Sequence, residues 1–111
     1  MSDAEGRKAA NEAVFREVNE RMEKLQRAFA SVEDEPLHIV CECDRLTCAV
    51  RLAVALDVYE RVRADSAQFF VTPGHQDEDV ETVVDMSEEY LIVRKRSGEP
   101  ADVATATDPR R

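Results

Sequence analysis

An uninterrupted stretch without Gly or Pro from Asn11 to about Val32, three cysteines within eight residues, and short β-branched segments separated by turn residues predict an α+β fold. The predicted architecture is a long N-terminal helix packed on a small antiparallel sheet, with a zinc knuckle and one short helix. Along the chain this divides into a disordered N-terminus over 1–10, a helix over 11–33, a zinc-stapled α+β domain over 37–96 and a flexible tail over 97–111.

The helix carries Phe15, Val18, Met22, Leu25, Phe29 and Val32 at alternating spacings of three and four, the a/d seam of a heptad repeat. Such a seam packs either on the domain's own sheet or on a second molecule. Glu33-Asp34-Glu35-Pro36 ends the helix, because Pro36 disfavours helical geometry in the residue before it. Leu37 to Cys43 then reads as a strand with Leu37, Ile39, Cys41 and Cys43 on one face and His38, Val40 and Glu42 on the other. Asp44 to Thr47 forms the knuckle returning to Cys48, and Ala49 to Leu56 is apolar but ambiguous between strand and helix. Asp57-Val58-Tyr59-Glu60 has the form of a capping box that opens a helix to about Ala64. Phe69-Phe70-Val71 leads into the turn Thr72-Pro73-Gly74-His75, and Val80–Met86 with Tyr90–Lys95 forms a hairpin.

Cys41, Cys43, Cys48 and His75 supply four donors of the kind a tetrahedral zinc ion takes when it is structural. The two thiols of the strand share a face, as co-ligands must. His38 competes for the fourth place but points to the opposite face, and Asp44 is a further alternative. An odd cysteine count argues against a disulfide framework. Beside the metal set, Tyr59 and Arg63 share a helix face at i and i+4. Arg63 is expected to find a carboxylate partner, for which Glu81 is available, in a salt bridge or carbonyl clamp that braces the zinc loop; a ligand-binding arginine is the alternative.

The chain has 111 residues with two Tyr, four Phe and no Trp; 43% are hydrophobic and 35% charged, and the net charge is −9. A domain this small often needs a metal or a partner for normal stability. The negative charge disfavours nucleic acid and anionic lipid as partners. No apolar run approaches the length of a membrane span, and the polar N-terminus is not a secretory signal, so the cytoplasm is the expected compartment.

Several segments together are similar to a known pattern: Asn11-Glu12-Ala13-Val14-Phe15-Arg16-Glu17-Val18-Asn19-Glu20, Cys41-Glu42-Cys43, Cys48, Tyr59-Glu60-Arg61-Val62-Arg63, Phe69-Phe70-Val71, Pro73-Gly74-His75, Glu81-Thr82-Val83-Val84 and Asp108-Pro109-Arg110. On these the chain resembles a group of short uncharacterised actinobacterial proteins with a Cys-x-Cys-x4-Cys … Pro-Gly-His pattern. Ser66-Ala67 and Asp77-Glu78-Asp79 stand where that pattern would have prolines. The resemblance implies motif positions and no particular activity.

The function expected from the residues is a small zinc-binding accessory or regulatory module acting through protein–protein contacts, with a homodimer through the N-terminal helix as one form of contact. A thiol-based metal or redox sensor is the alternative. A zinc hydrolase or deaminase would need an open coordination position and a general base, for which Glu42 and Glu81 are the candidates.

Overall fold

The computed structural model describes residues 3–29 and 35–110, and of residues 3–5 and 29 the backbone alone. In chain order the elements are α1 (Asp3–Phe29), β1 (Leu37–Val40), β2 (Arg51–Val54), α2 (Leu56–Arg63), β3 (Gln68–Val71), β4 (Glu81–Met86), β5 (Leu91–Lys95) and α3 (Glu99–Ala106). The fold is α+β, with two small antiparallel sheets where one was expected. β1 pairs with β2, Leu37 opposite Val54, and a second sheet has the order β3-β5-β4. The ambiguous segment after Cys48 is therefore a strand, then a helix.

The sheets are joined where the chain leaves β1. Cys41 N–H donates to Val50 O at 2.9 Å, and Glu42 N–H donates to Phe70 O at 2.7 Å. Two successive residues thus hand the backbone over from one sheet to the other. Ile39, Leu52, Val62, Phe70 and Val93 fill the core beneath this junction. The Phe70 ring stacks on Tyr59 with centroids 5.8 Å apart and meets Tyr90 edge-on. β4 departs from regular pairing at a bulge between Val83 and Asp85.

α1 begins at Asp3, so much of the segment expected to be disordered is helical. Its first turns are held by Asn11, whose amide donates to Asp44 O at 2.9 Å, and by the Lys8 ammonium near Asp44 and Asp77. The expected helix end at 32–33, and Val32 itself, lie outside the described residues. More consequential is the face that α1 buries. The a/d seam does not enter the core: Val18 and Leu25 are 39% and 60% exposed, and Phe15 and Met22 are half-buried. The buried face consists instead of Glu12, Arg16, Asn19, Glu20 and Glu23.

That inversion has a physical cause in the unpaired edge of β1. Asn19 accepts from Val40 N–H and donates to Val40 O, both at 2.8 Å, and Gln26 does the same with His38 at 2.9 and 2.8 Å. Two carboxamides therefore stand in for the missing strand and satisfy backbone groups that would be costly to leave unpaired. Arg16, also buried, donates to Ser66 O at 2.6 Å and to Ala104 O at 2.7 Å, with its guanidinium 4.5 Å from the Phe69 ring centre.

The segment from residue 97 is likewise not a loose tail. Gly98, at φ 101°, turns the chain into α3, with Pro100 in its first turn. Arg16 donates to the Ala104 carbonyl at the C-terminal end of α3, and Ala104 packs into the core. Beyond it Arg110 reaches back to Glu20 at 3.0 Å and Glu60 at 2.7 Å. α2 starts at Leu56 with Ala55 as N-cap and no side-chain cap, so Asp57 lies in the first turn and the expected capping box does not form. Glu60 is drawn to Arg110 instead. No helix among the described residues is long and apolar enough to cross a membrane.

If polar docking positions α1, Asn19→Ala should destabilise the protein by about 3 kcal/mol, because it strips partners from Val40 and from a buried carboxylate. Val18→Ala, on the exposed face, should cost less than about 1 kcal/mol. Urea denaturation of the two variants measures the difference.

Candidate metal centre

The strand expected over Leu37 to Cys43 ends at Val40, where the chain leaves β2 for the second sheet, but the inward side expected for Leu37, Ile39, Cys41 and Cys43 holds. Leu37, Ile39, Cys41 and Cys43 are all buried. The knuckle closes with Cys48 N–H donating to Arg45 O at 3.0 Å, which turns the Cys48 thiol back toward the pair. His75 arrives from the far side on a turn closed by its own N–H donating to Thr72 O at 2.9 Å. Gly74 within that turn has φ 94°, a backbone conformation that a side chain would strain.

The ligand atoms of Cys41, Cys43, Cys48 and His75 all lie within 4.8 Å of one another, and the group could hold a metal ion. His75 Nδ1 is 3.7 Å from Cys41 Sγ and 3.5 Å from Cys48 Sγ. In a tetrahedron with metal–sulfur and metal–nitrogen bonds of zinc length, the sulfur–nitrogen edge is about 3.6 Å. The separations of His75 from Cys41 and Cys48 thus match that edge. His38 is exposed, with its backbone tied to Gln26, and neither it nor Asp44 belongs to the group.

Burial pushes the Cys41 thiol up, and pushes the Cys43 thiol up to about 12, where the Cys41 and Cys48 thiols add to the rise. Metal-free, these groups keep their protons. A divalent cation reverses that preference, because a coordinating thiol is deprotonated outright. The surroundings are prepared for sulfur carrying negative charge: Thr72 N–H donates to Cys41 Sγ at 3.1 Å, and the Arg45 backbone N–H lowers the Cys43 thiol against burial.

The three residues expected to support the site take different partners from those expected. Arg63 pairs with Glu42, at 2.6 and 2.9 Å, and not with Glu81. Glu42 is the residue that sequence reasoning undervalued. It is fully buried between the two ligand cysteines and accepts from both Arg63 nitrogens, from Asn19 at 2.8 Å and from Phe70 N–H at 3.0 Å. The signal was present in Cys41-Glu42-Cys43, since an acid between two inward thiols on an extended chain faces the opposite way. If that side is covered, a buried cation must meet it. Tyr59 packs under the Arg63 guanidinium, 5.1 Å from its ring centre, and donates to Glu20 at 3.1 Å. Glu81 accepts from Lys95 at 2.7 Å and from Asp77 N–H at 2.7 Å.

No family model matches the chain, and neither a curated protein nor a solved structure matches it.

Two outcomes test this environment. Glu42→Gln leaves the Arg63 charge uncompensated, so it should cost about 3–5 kcal/mol in urea denaturation. It should also weaken metal binding in a chelator competition, while Glu42→Leu combined with Arg63→Leu should be milder than the single change.

The second outcome concerns Glu12, Glu81 and Lys95, which share one buried cluster. Burial pushes the Glu12 carboxyl up to about 7, against the pull of the Lys95 ammonium and with the Glu81 charge adding to the rise. A carboxyl whose folded value is raised takes up its proton in the folded state first. Its contribution is therefore complete below the ordinary carboxylate range and is lost as pH rises through about 7. Thermal melts from about pH 5 to 8 should show this loss in the wild type, and a flatter profile in Glu12→Gln.

Proposed function

We propose that this chain is a small zinc-binding accessory or regulatory module whose metal is structural and which acts through protein–protein contacts in the cytoplasm. The observation that carries the reading is the mutual approach of four donor atoms, from Cys41, Cys43, Cys48 and His75. Three thiolates and an imidazole favour zinc over hard cations such as magnesium or calcium. A closed shell of that composition has net charge −1 and leaves no position for a substrate. Both carboxylates that could have served as general base are engaged elsewhere, Glu42 with Arg63 and Glu81 with Lys95. The metal would cross-link the 41–48 knuckle to the 72–75 turn, so its binding energy is folding energy.

A thiol-based sensor is the second reading, and one observation favours it. Cys48 is only half-buried, and His75 beside it lines an open basin of about 430 Å³. An oxidant reaching Cys48 would release the ion, since the disulfide or sulfenic form no longer offers a thiolate.

Purified protein should carry about one zinc per chain by elemental analysis. Its melting temperature should fall by about 10 °C or more with a strong chelator. Cys41→Ser, Cys43→Ser, Cys48→Ser and His75→Ala should each lower zinc content, and His38→Ala should not. A metal-free preparation with the same melting curve would overturn the structural reading. Loss of zinc under mild peroxide at unchanged protein concentration would favour the sensor.

A further inference from the structure

Thr72 stands where β3 gives way to the turn that delivers His75, and it meets the metal centre through more than one group. Its carbonyl accepts from His75 N–H at 2.9 Å, and its own N–H donates to Cys41 Sγ at 3.1 Å. Its hydroxyl oxygen is buried and has no hydrogen-bond partner among the described residues. The backbone of Thr72 is thus bonded to two candidate ligands while its side chain is idle beside them. Side chain and N–H both act on the Cys41 thiol, so the idle hydroxyl lies at that sulfur.

A buried hydroxyl without a partner destabilises a fold, and valine would fill the same space without that penalty. The other buried donors in this condition are Arg16 Nε and Arg63 Nε. They belong to guanidinium groups whose remaining nitrogens are bonded, whereas Thr72 has no second polar atom on its side chain. What the hydroxyl lacks is a good acceptor, and a protonated Cys41 is a weak one. A thiolate bound to a cation is a better one, because hydrogen bonds to an ionised acceptor are shorter and stronger. The hydroxyl hydrogen turns about its own C–O bond, so making that bond asks nothing of the backbone.

We propose that Thr72 is a positioning residue of the metal centre, its hydroxyl donating to the Cys41 thiolate in the metal-bound protein and forming with the Thr72 N–H a two-donor clamp on that sulfur. The proposal rests on the reading of Cys41, Cys43, Cys48 and His75 as a metal site, and it names the residue that moderates the charge of one ligand. Three thiolates and an imidazole leave the shell at net −1, and donors to sulfur spread that charge into the protein. Thr72 also ties the two arms of the site together, since the residue that clamps Cys41 closes the turn carrying His75.

The test uses the full chain loaded with zinc or with cobalt(II). Thr72→Val keeps the shape and removes the hydroxyl, and Thr72→Ser keeps the hydroxyl. In a chelator competition Thr72→Val should weaken zinc binding about tenfold, and Thr72→Ser should hold most of the affinity. The thiolate-to-cobalt charge-transfer band should move to longer wavelength in Thr72→Val alone, because a sulfur relieved of a hydrogen bond gives up electron density more readily. Without metal the sign reverses, and Thr72→Val should melt no lower than the wild type. Unchanged zinc affinity and an unmoved band in Thr72→Val overturn the proposal and leave the four-ligand site standing. Weaker binding with an unmoved band overturns it as well, as does an equal loss in Thr72→Ser, since the side chain would then act by packing. A wild-type chain that takes up neither zinc nor cobalt removes the metal-site reading itself, and this proposal with it.

Discussion

The carboxylate of Glu42 is the point on which the remaining structure depends. It is buried without any exposure, and a lone carboxylate there would cost several kcal/mol. Four donors meet it, from Arg63 twice, Asn19 and the Phe70 backbone. Those donors come from α2, α1 and β3, so satisfying one charge fixes the relative placement of three elements. Each donor is in turn held: Arg63 by the Tyr59 and Phe70 rings, Asn19 by Val40, Phe70 by the pairing of β3 with β5. Apolar burial supplies the core, and this polar junction orients the layers around it.

The same logic runs along the whole inner face of α1. Glu12 meets Lys95, Arg16 meets the carbonyl groups of Ser66 and Ala104, and Glu20 meets Tyr59 and Arg110. Buried ionic and hydrogen-bonded contacts add little net stability compared with well-packed apolar groups, but breaking one is expensive. A helix docked in this way would lose these partners together in any other register. Apolar docking tolerates sliding by a turn; this docking does not. The helix can consequently spend its hydrophobic residues elsewhere, on the outward face.

How much of this could be read from the chain depends on how local the signal is. The α+β class, β1, the β4–β5 hairpin and the approach of Cys41, Cys43, Cys48 and His75 were legible, because period-two alternation, turn residues and ligand spacing lie within short windows. The face that α1 buries was not. Periodicity counts apolar residues, and by that count Phe15, Val18, Met22 and Leu25 define the core side. What overrides the count is a set of partners far along the chain, Lys95 for Glu12 and Arg110 for Glu20, separated by 83 and 90 residues. No local pattern reports them. α3 was missed for a related reason: it buries little beyond Ala104, and the Ala104 carbonyl in its last turn is met by Arg16 from the opposite end of the sequence.

Cys41-Glu42-Cys43, just beyond the end of β1, faces two ways at once. The thiols point toward His75 and the knuckle, and the carboxylate points toward α1 and Arg63. Position of one side constrains position of the other, because the three residues are consecutive and their backbone is pinned by the Cys41 and Glu42 N–H groups. An ion at the thiols would draw Cys43 and Cys48 together and hold that backbone taut. Glu42 would then be presented at a fixed depth to Asn19, and Asn19 sets how α1 lies on β1. A contiguous path of contacts thus links the thiol pair to α1 through Glu42 and Asn19. Loss of the ion would loosen the path at its first link while leaving the apolar core of β3 and β5 in place. The same tripeptide carries two candidate ligands and the buried carboxylate to which α1 is bonded, an economy that suits a domain with so small a core.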